Sequence, residues 1–352
     1  MKTSFPLYGF TFMRGVERFD YPYLEMLENL RTLTDKVCVA LGPAQDDTEK
    51  NVRAIDDLEI VDSPWDEGLV GDGGKIFSYQ ANVALKKLRE LYGEDDDAWA
   101  FFLHCDEIIH PDDYERVYQD LRAARESGCD AVSFRFLHFW DDHYHIAISK
   151  RWHPSEIRAM KLRSKIECWG DAQGFQHATK VFESDVCIYH YGHVRDAQKR
   201  DEKQREILRR IRPAEKFKKY YNREQRAFSK TRKLSLLVQH PQFMKARMER
   251  LGDPFHFNPA DTAYIVGDRK KYSPRVLENI NASKVIFVTN LSEVPKSSRA
   301  KAVIIEEGFF DKIFRPSRVP FKMESPRAKN WSADQYLMLK LFERGISVKT
   351  SF

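Results

Sequence analysis

Residues 99–113 read WAFFLHCDEIIHPDD. The first five are apolar without alternation, the pattern of a strand buried on both faces. The run then delivers His104, Asp106 and Glu107, with His110 after them on the next loop. Adjacent carboxylates at the carboxyl end of a buried strand point to an open α/β sheet, in which ligands bind in the crevice beyond the strand ends. Two readings of the pair stand. Asp106 and Glu107 suit a hard divalent cation, which takes oxygen ligands and keeps positions for phosphate oxygens. Equally, they suit the cap of a helix starting near Pro111.

The flanking sequence supports the sheet. Residues 7–12, 36–41 and 58–61 are short apolar runs that read as strands. Residues 23–33 carry Leu24, Leu27 and Leu30 at spacings of three behind Pro22, and residues 78–92 place Ala81, Ala84, Leu85 and Leu88 on one side, so both read as helices. A further helix is expected over 111–126 and a further strand over 131–136. This alternation predicts an α/β fold, a mostly parallel sheet flanked by helices. The loops after Leu41, Val61 and Leu103 are rich in Asp, Gly and Glu, as a site at strand ends requires.

At 352 residues the chain exceeds one ordinary core of roughly 100–200 residues. A hydrophobic fraction of 42% excludes a wholly disordered chain. Five cysteines, none in a C-x-x-C pair, argue against a disulfide framework or structural zinc and fit a reducing cytoplasm. MKTSFPLYGFTF lacks the apolar core and cleavage site of a signal peptide. No apolar run reaches the ~18 residues that span a bilayer. The expectation is a cytoplasmic protein with room for peripheral contact at the inner face of a membrane.

The net charge of +5 is unevenly spread. Residues 195–233 hold 16 Lys and Arg against 6 Asp and Glu, which leaves the rest mildly acidic. That stretch reads as charged helices. Strand signal returns at TAYIVG (262–267), KVIFVTN (284–290) and KAVIIEE (301–307), and an amphipathic helix is expected over 330–344. Three regions are expected: an α/β domain over 1–195, a basic helical linker over 196–258, and a small Rossmann-like α/β unit over 259–352. IVGDRKKYS lacks G-x-G-x-x-G, so no dinucleotide site is expected there.

The segment 99–113 resembles the acidic-motif strand of glycosyltransferase family 2, the GT-A fold, in the branch with D-x-D-E that includes lipopolysaccharide-core and cell-wall-type enzymes. His104 stands at the first Asp, and Asp106 and Glu107 match the last two positions. The resemblance covers about residues 5–200. GFTFMRG (9–15) is similar to the first strand, whose end, Phe12 and Arg14, lines the base pocket. GPAQDDTEK (42–50) is similar to the Asp-rich loop, with Gly42 in place of the first Asp and Asp46, Asp47 and Thr48 retained. A helix N-cap is the alternative for that loop.

SPWDEGLVGDGGKIFSYQANVAL (63–85) is similar to the segment that helps hold the nucleotide-sugar. It supplies Asp66, Gly74, where the backbone can approach a ligand, and Lys75, within reach of a phosphate. Residues 151–180 are similar to the acceptor side. There Asp171 is implied as general base, or else is a turn residue beside Gly170, and Arg158 pairs with phosphate or with a local carboxylate. In IYHYGHVRD (188–196), His190 is implied to complete the metal site, with His193 as second choice.

The resemblance implies a nucleotide-sugar donor, Mn2+ or Mg2+ held by Asp106, Glu107 and His190, and a glycan or lipid-linked acceptor. The leading reading is a metal-dependent, inverting glycosyltransferase. One alternative is a metal-dependent phosphoester hydrolase, which needs a second metal cluster. The other is a non-catalytic nucleic-acid-binding protein. In the basic stretch, Phe217, Tyr220, Tyr221 and Phe228 interleave with cations, which fits nucleic acid, anionic lipid or a helical bracket.

Overall fold

The computed structural model describes residues 5–147, 152–231, 233–237, 240–253, 260–266, 282–288, 302–305 and 347–350. The chain falls into two compact units, Met1–Leu137 with Ser155–Lys230, and His138–Pro154 with Thr231–Phe352.

In the first unit, β1 (Leu7–Met13), α1 (Tyr23–Leu33), β2 (Lys36–Leu41), α2 (Thr48–Arg53), β3 (Leu58–Asp62), α3 (Lys75–Tyr92) and β4 (Trp99–Phe102) alternate. Then come β5 (Glu107–Ile109), α4 (Tyr114–Glu126) and β6 (Ala131–Trp140), whose last three residues lie in the second unit. The second unit also holds β7 (His145–Ala147). The chain returns to the first unit with β8 (Ser155–Lys161), β9 (Glu167–Trp169), β10 (Gly174–Gln176), β11 (Val181–His193), α5 (Ala197–Ile211) and α6 (Phe217–Phe228).

The first unit is a mixed α/β fold with a sheet order β6-β8-β4-β1-β2-β3. Strands β4, β1, β2 and β3 are parallel, whereas β4–β8 and β8–β6 pair antiparallel. The expectation of a mostly parallel sheet therefore holds for one half. The parallel half includes the strands that are apolar throughout: every residue of WAFF is buried, as is VCVAL of β2. Beside the core strands, β11 pairs antiparallel with β5 and also pairs with β6.

Helix α1 has the expected bounds, but its buried apolar stripe is Tyr23, Met26, Leu27, Leu30 and Leu33, and Leu24 is exposed. A strict three-residue spacing drifts around a 3.6-residue helix, so Leu24 leaves the face that Leu27 and Leu30 share. Asn29, also buried in α1, anchors the chain just past the acidic pair. Its Nδ2 donates to Ile109 O and to the Tyr114 hydroxyl, and its Oδ1 accepts from Ile109 N. Helix α3 begins three residues earlier than expected because Gly74, at φ +92°, turns the chain into it.

In the second unit, β7 pairs antiparallel with β12 (Lys233–Leu237). Past α7 (Lys245–Arg250) lie β13 (Ala260–Val266), β14 (Ala282–Val288), β15 (Ala302–Ile305) and β16 (Ser347–Thr350). β12 also pairs antiparallel with β16. The three runs expected from 262, 284 and 301 onward form a parallel sheet of order β14-β13-β15. The helix expected over 330–344 lies outside the described residues.

Candidate active site

The strand order places β1 between β2 and β4. The chain leaves β1 toward β2 on one side and returns by α3 to β4 on the other, so the topological switch point lies between β1 and β4. Two bonds close that seam: Leu103 N donates to Phe10 O, and the Cys105 thiol donates to Phe12 O. Beyond it lie the end of β1 with Arg14 just past it, and the stretch from His104 to Glu107 that joins β4 to β5.

Phe12 is buried in a group of rings. It stands edge-on to His104 at 5.8 Å, near Phe102 at 6.3 Å, and close to Trp65 and Phe77, each at 6.2 Å. Trp65 lies directly on Gly42, where a Cβ would come 2.6 Å from its Nε1. The guanidinium groups of Arg14 and Arg210 lie over the Trp65 ring, at 5.5 and 5.1 Å from its centroid. Trp65 Nε1 is buried and donates to no acceptor among the described residues.

Asp106, Glu107 and His190 do come together. His190 stands opposite Glu107 in the β5–β11 register, and its Nε2 is 3.7 Å from Asp106 Oδ1. Each carboxylate, however, is already matched by a cation of the chain. Lys203, from α5, donates to Asp106 Oδ2 at 2.9 Å and to Gly192 O at 2.8 Å. Arg158, from β8, grips Glu107 with Nε and Nη2, both at 2.8 Å. Glu107 Oε2 also accepts from His104 N.

Burial alone would raise both acids. Lys203, then His190 and His104, outweigh it at Asp106, and Arg158 outweighs it at Glu107, so both carboxyls are held below the usual range. Burial pushes the Lys203 amine down to about 8, against the pull of Asp106. Burial also lowers His190, against the pull of Asp106 and Glu107. Among the described residues, no group of three or more His, Cys, Asp and Glu is placed to hold a metal ion. With an ammonium on Asp106 and a guanidinium spanning Glu107, this donor set as arranged does not fit Mn2+ or Mg2+.

The other expected residues have local partners. Arg158 is fully buried and, besides Glu107, donates to the carbonyls of Ile157 and Gln173. Asp46 accepts from Arg18 N and Thr48 N, and the Thr48 hydroxyl accepts from Val16 N and Glu17 N, tying the loop after β2 to the loop after β1. Asp47 is exposed, 3.8 Å from Lys50. Asp66 accepts from Gly68 N, and Lys75 pairs on the surface with Asp72. Gly74 and Asp171 are in close contact: a Cβ on Gly74 would fall 2.6 Å from Asp171 Cβ. Asp171 thus sits at the amino end of α3. The carbonyl of the next residue, Ala172, lies 2.8 Å from His104 Nε2.

Two groups in the site leave little mark on the sequence. Lys203 is one of 16 like charges in the basic stretch, with nothing local to distinguish it. Glu156 lies two residues before Arg158 on β8, across an irregularity in the β6–β8 register. It is half-buried. Burial pushes its carboxyl up to about 7, where Arg158 pulls down and Glu107 and Asp171 push up.

Helix α5 is docked on this site. Beyond Lys203, the carbonyls of Arg210 and Ile211 accept from Gly71 N and Gly73 N in the loop before α3. The aromatics of α6 are engaged locally, Tyr221 by Arg205, Phe217 by Arg209 and Tyr220 by Arg212 and Arg223.

No protein-family model matches the sequence, and no curated protein matches it. Among solved structures, TarS from S. aureus aligns over 59% of this chain and 39% of that chain, at 13% identity and a TM-score of 0.32. Its segment 1–349 in complex with UDP aligns over 59% and 64%, at 15% identity and 0.33. A Bacillus anthracis protein described as a putative glucose-1-phosphate thymidylyltransferase, in complex with a sucrose, aligns over 71% and 97%, at 10% identity and 0.28. The chain spans less than two-thirds of the length of either TarS chain. The likeness is distant and partial.

Proposed function

We propose that the first unit is a nucleotide-sugar-dependent glycosyltransferase whose donor lies in the crevice beyond β1 and β4. The observation that carries this reading is the pairing of two features at one switch point. On the β1 side, the Trp65 ring lies with the guanidinium groups of Arg14 and Arg210 over it, both also paired with Glu67. These suit a nucleobase and a diphosphate. On the β4–β8 side, Glu156 offers a carboxylate that titrates near neutrality, the range a general base needs.

In the proposed step, Glu156 takes the proton of an acceptor hydroxyl. The acceptor oxygen bonds to the anomeric carbon from the face opposite the leaving group, and the bond to the diphosphate breaks with its electron pair on the departing phosphate. Asp171 is the adjacent negative charge that helps keep the proton affinity of Glu156 high. The acceptor is a hydroxyl of a glycan or cell-envelope chain, as the sequence resemblance implies. The contacts of α5 with the site and the locally engaged aromatics of α6 favour a bracket role for the basic stretch over a membrane or nucleic-acid face.

A donor screen read by mass spectrometry tests the proposal. Slow release of free sugar from one nucleotide-sugar, reduced in Glu156→Gln by about 10²–10⁴-fold, supports it. Hydrolysis of a phosphomonoester, with no nucleotide-sugar turned over, would replace it with the hydrolase reading.

A further inference from the structure

We propose that Lys203 occupies the position a divalent cation would take on Asp106, so that the donor site works with a cation built into the chain. Metal-independent donor binding rests on the glycosyltransferase reading; the occupancy of Asp106 does not.

Lys203 belongs to a strongly basic helix, where an ammonium would ordinarily stay in water. Burying one without partners costs several kcal/mol. Here it is 7% exposed and closely partnered. Its Nζ meets Asp106 Oδ2 at 2.9 Å and Gly192 O at 2.8 Å, and lies 4.4 Å from the centroid of the Tyr21 ring. A carboxylate and a carbonyl converging on one positive centre make a partial coordination shell of hard oxygens. The backbone holds that shell in place. Tyr191 N donates to Asp106 O, and Gly192 has no room for a side chain, since a Cβ would fall 2.4 Å from His190 Nε2 and 2.9 Å from Asp106 Oδ2.

Without the ammonium, Asp106, the Gly192 carbonyl and the imidazole of His190 are oxygen and nitrogen donors of the kinds Mn2+ accepts. The ammonium stands on Asp106 Oδ2 and the Gly192 carbonyl, so a metal ion taking those two oxygens would have to displace it. Arg158 does for Glu107 what Lys203 does for Asp106, and the two ion pairs together are neutral without a metal.

Mn2+ binding by the full-length chain, followed by electron paramagnetic resonance without nucleotide, tests the occupancy directly. The wild type is expected to bind no stoichiometric Mn2+ at millimolar concentration. Lys203→Ala is expected to gain a bound Mn2+ that also raises its Tm, and the added change Asp106→Asn is expected to abolish that gain. Stoichiometric binding by the wild type, lost in Asp106→Asn, would overturn the proposal even if Lys203→Ala fails to fold. A folded Lys203→Ala chain with no Mn2+ affinity would overturn it too. In a parallel arm, the thermal shift from nucleoside diphosphates is expected to be the same in EDTA and in Mn2+, and a shift seen only with Mn2+ would overturn metal-independence. If no nucleoside diphosphate shifts the protein under either condition, the donor reading falls while the Mn2+ result still decides the occupancy.

Discussion

Arg158 of β8 and Glu107 of β5 form a buried bidentate pair, with Nε to Oε2 and Nη2 to Oε1 both at 2.8 Å. The pair fixes the residue beside Asp106 and joins β8 to the end of the parallel half of the sheet. Removing one member leaves the other as an unmatched buried charge. Arg158→Met is expected to cost about 3–5 kcal/mol, measured by urea unfolding of the full-length chain. Arg158→Lys keeps the charge without the fork and is expected to lose a large part of that stability. The double change Glu107→Leu with Arg158→Met is expected to recover most of it.

Gly42 and Trp65 form a second coupled pair. A Cβ at position 42 would meet Trp65 Nε1 at 2.6 Å and Cδ1 at 2.8 Å. Gly42→Ala is expected to displace the indole, lower the Tm and weaken nucleoside diphosphate binding. In the Trp65→Ala background the same change is expected to cost little stability. A thermal-shift double-mutant cycle reads the coupling, and strictly additive effects would show the contact to be without consequence.

Glu156 makes stability depend on pH with a definite sign. Its folded carboxyl titrates near about 7, against 4.5 unperturbed, so the folded chain keeps a proton that the unfolded chain has lost. The group therefore lowers stability as pH rises from about 4.5 to about 7, with no further change above that. Glu156→Gln is expected to raise the Tm above pH 7 and leave it nearly unchanged below about 4.5. Turnover, which needs the ionised base, is expected to rise as pH passes through about 7 in the wild type and to lose that limb in Glu156→Gln.

The parallel half of the fold was legible because its central strands are apolar on both faces. The runs around Leu7, Lys36, Leu58 and Trp99 appeared within a residue or two of their bounds. The antiparallel half was less legible, because β8 and β11 carry Glu, Arg, Asp and His at positions that the site, not the core, dictates. The assembly of Asp106, Glu107 and His190 could be expected from motif order. Their neutralisation could not, because it depends on Lys203, 97 residues beyond Asp106, and on Arg158, 51 beyond Glu107. Glu156 was hidden for a related reason: its near-neutral titration comes from burial and from charges brought in by other segments.

The most direct test of the donor site is isothermal titration of the full-length chain with nucleoside diphosphates, repeated on Trp65→Ala and Phe12→Ala. One binding site is expected for at least one of them, weakened about tenfold or more in Trp65→Ala, the scale of a lost base–aromatic contact of ~1–3 kcal/mol. Absence of binding across the whole panel, or binding indifferent to both substitutions, would contradict a donor site at the β1–β4 crevice.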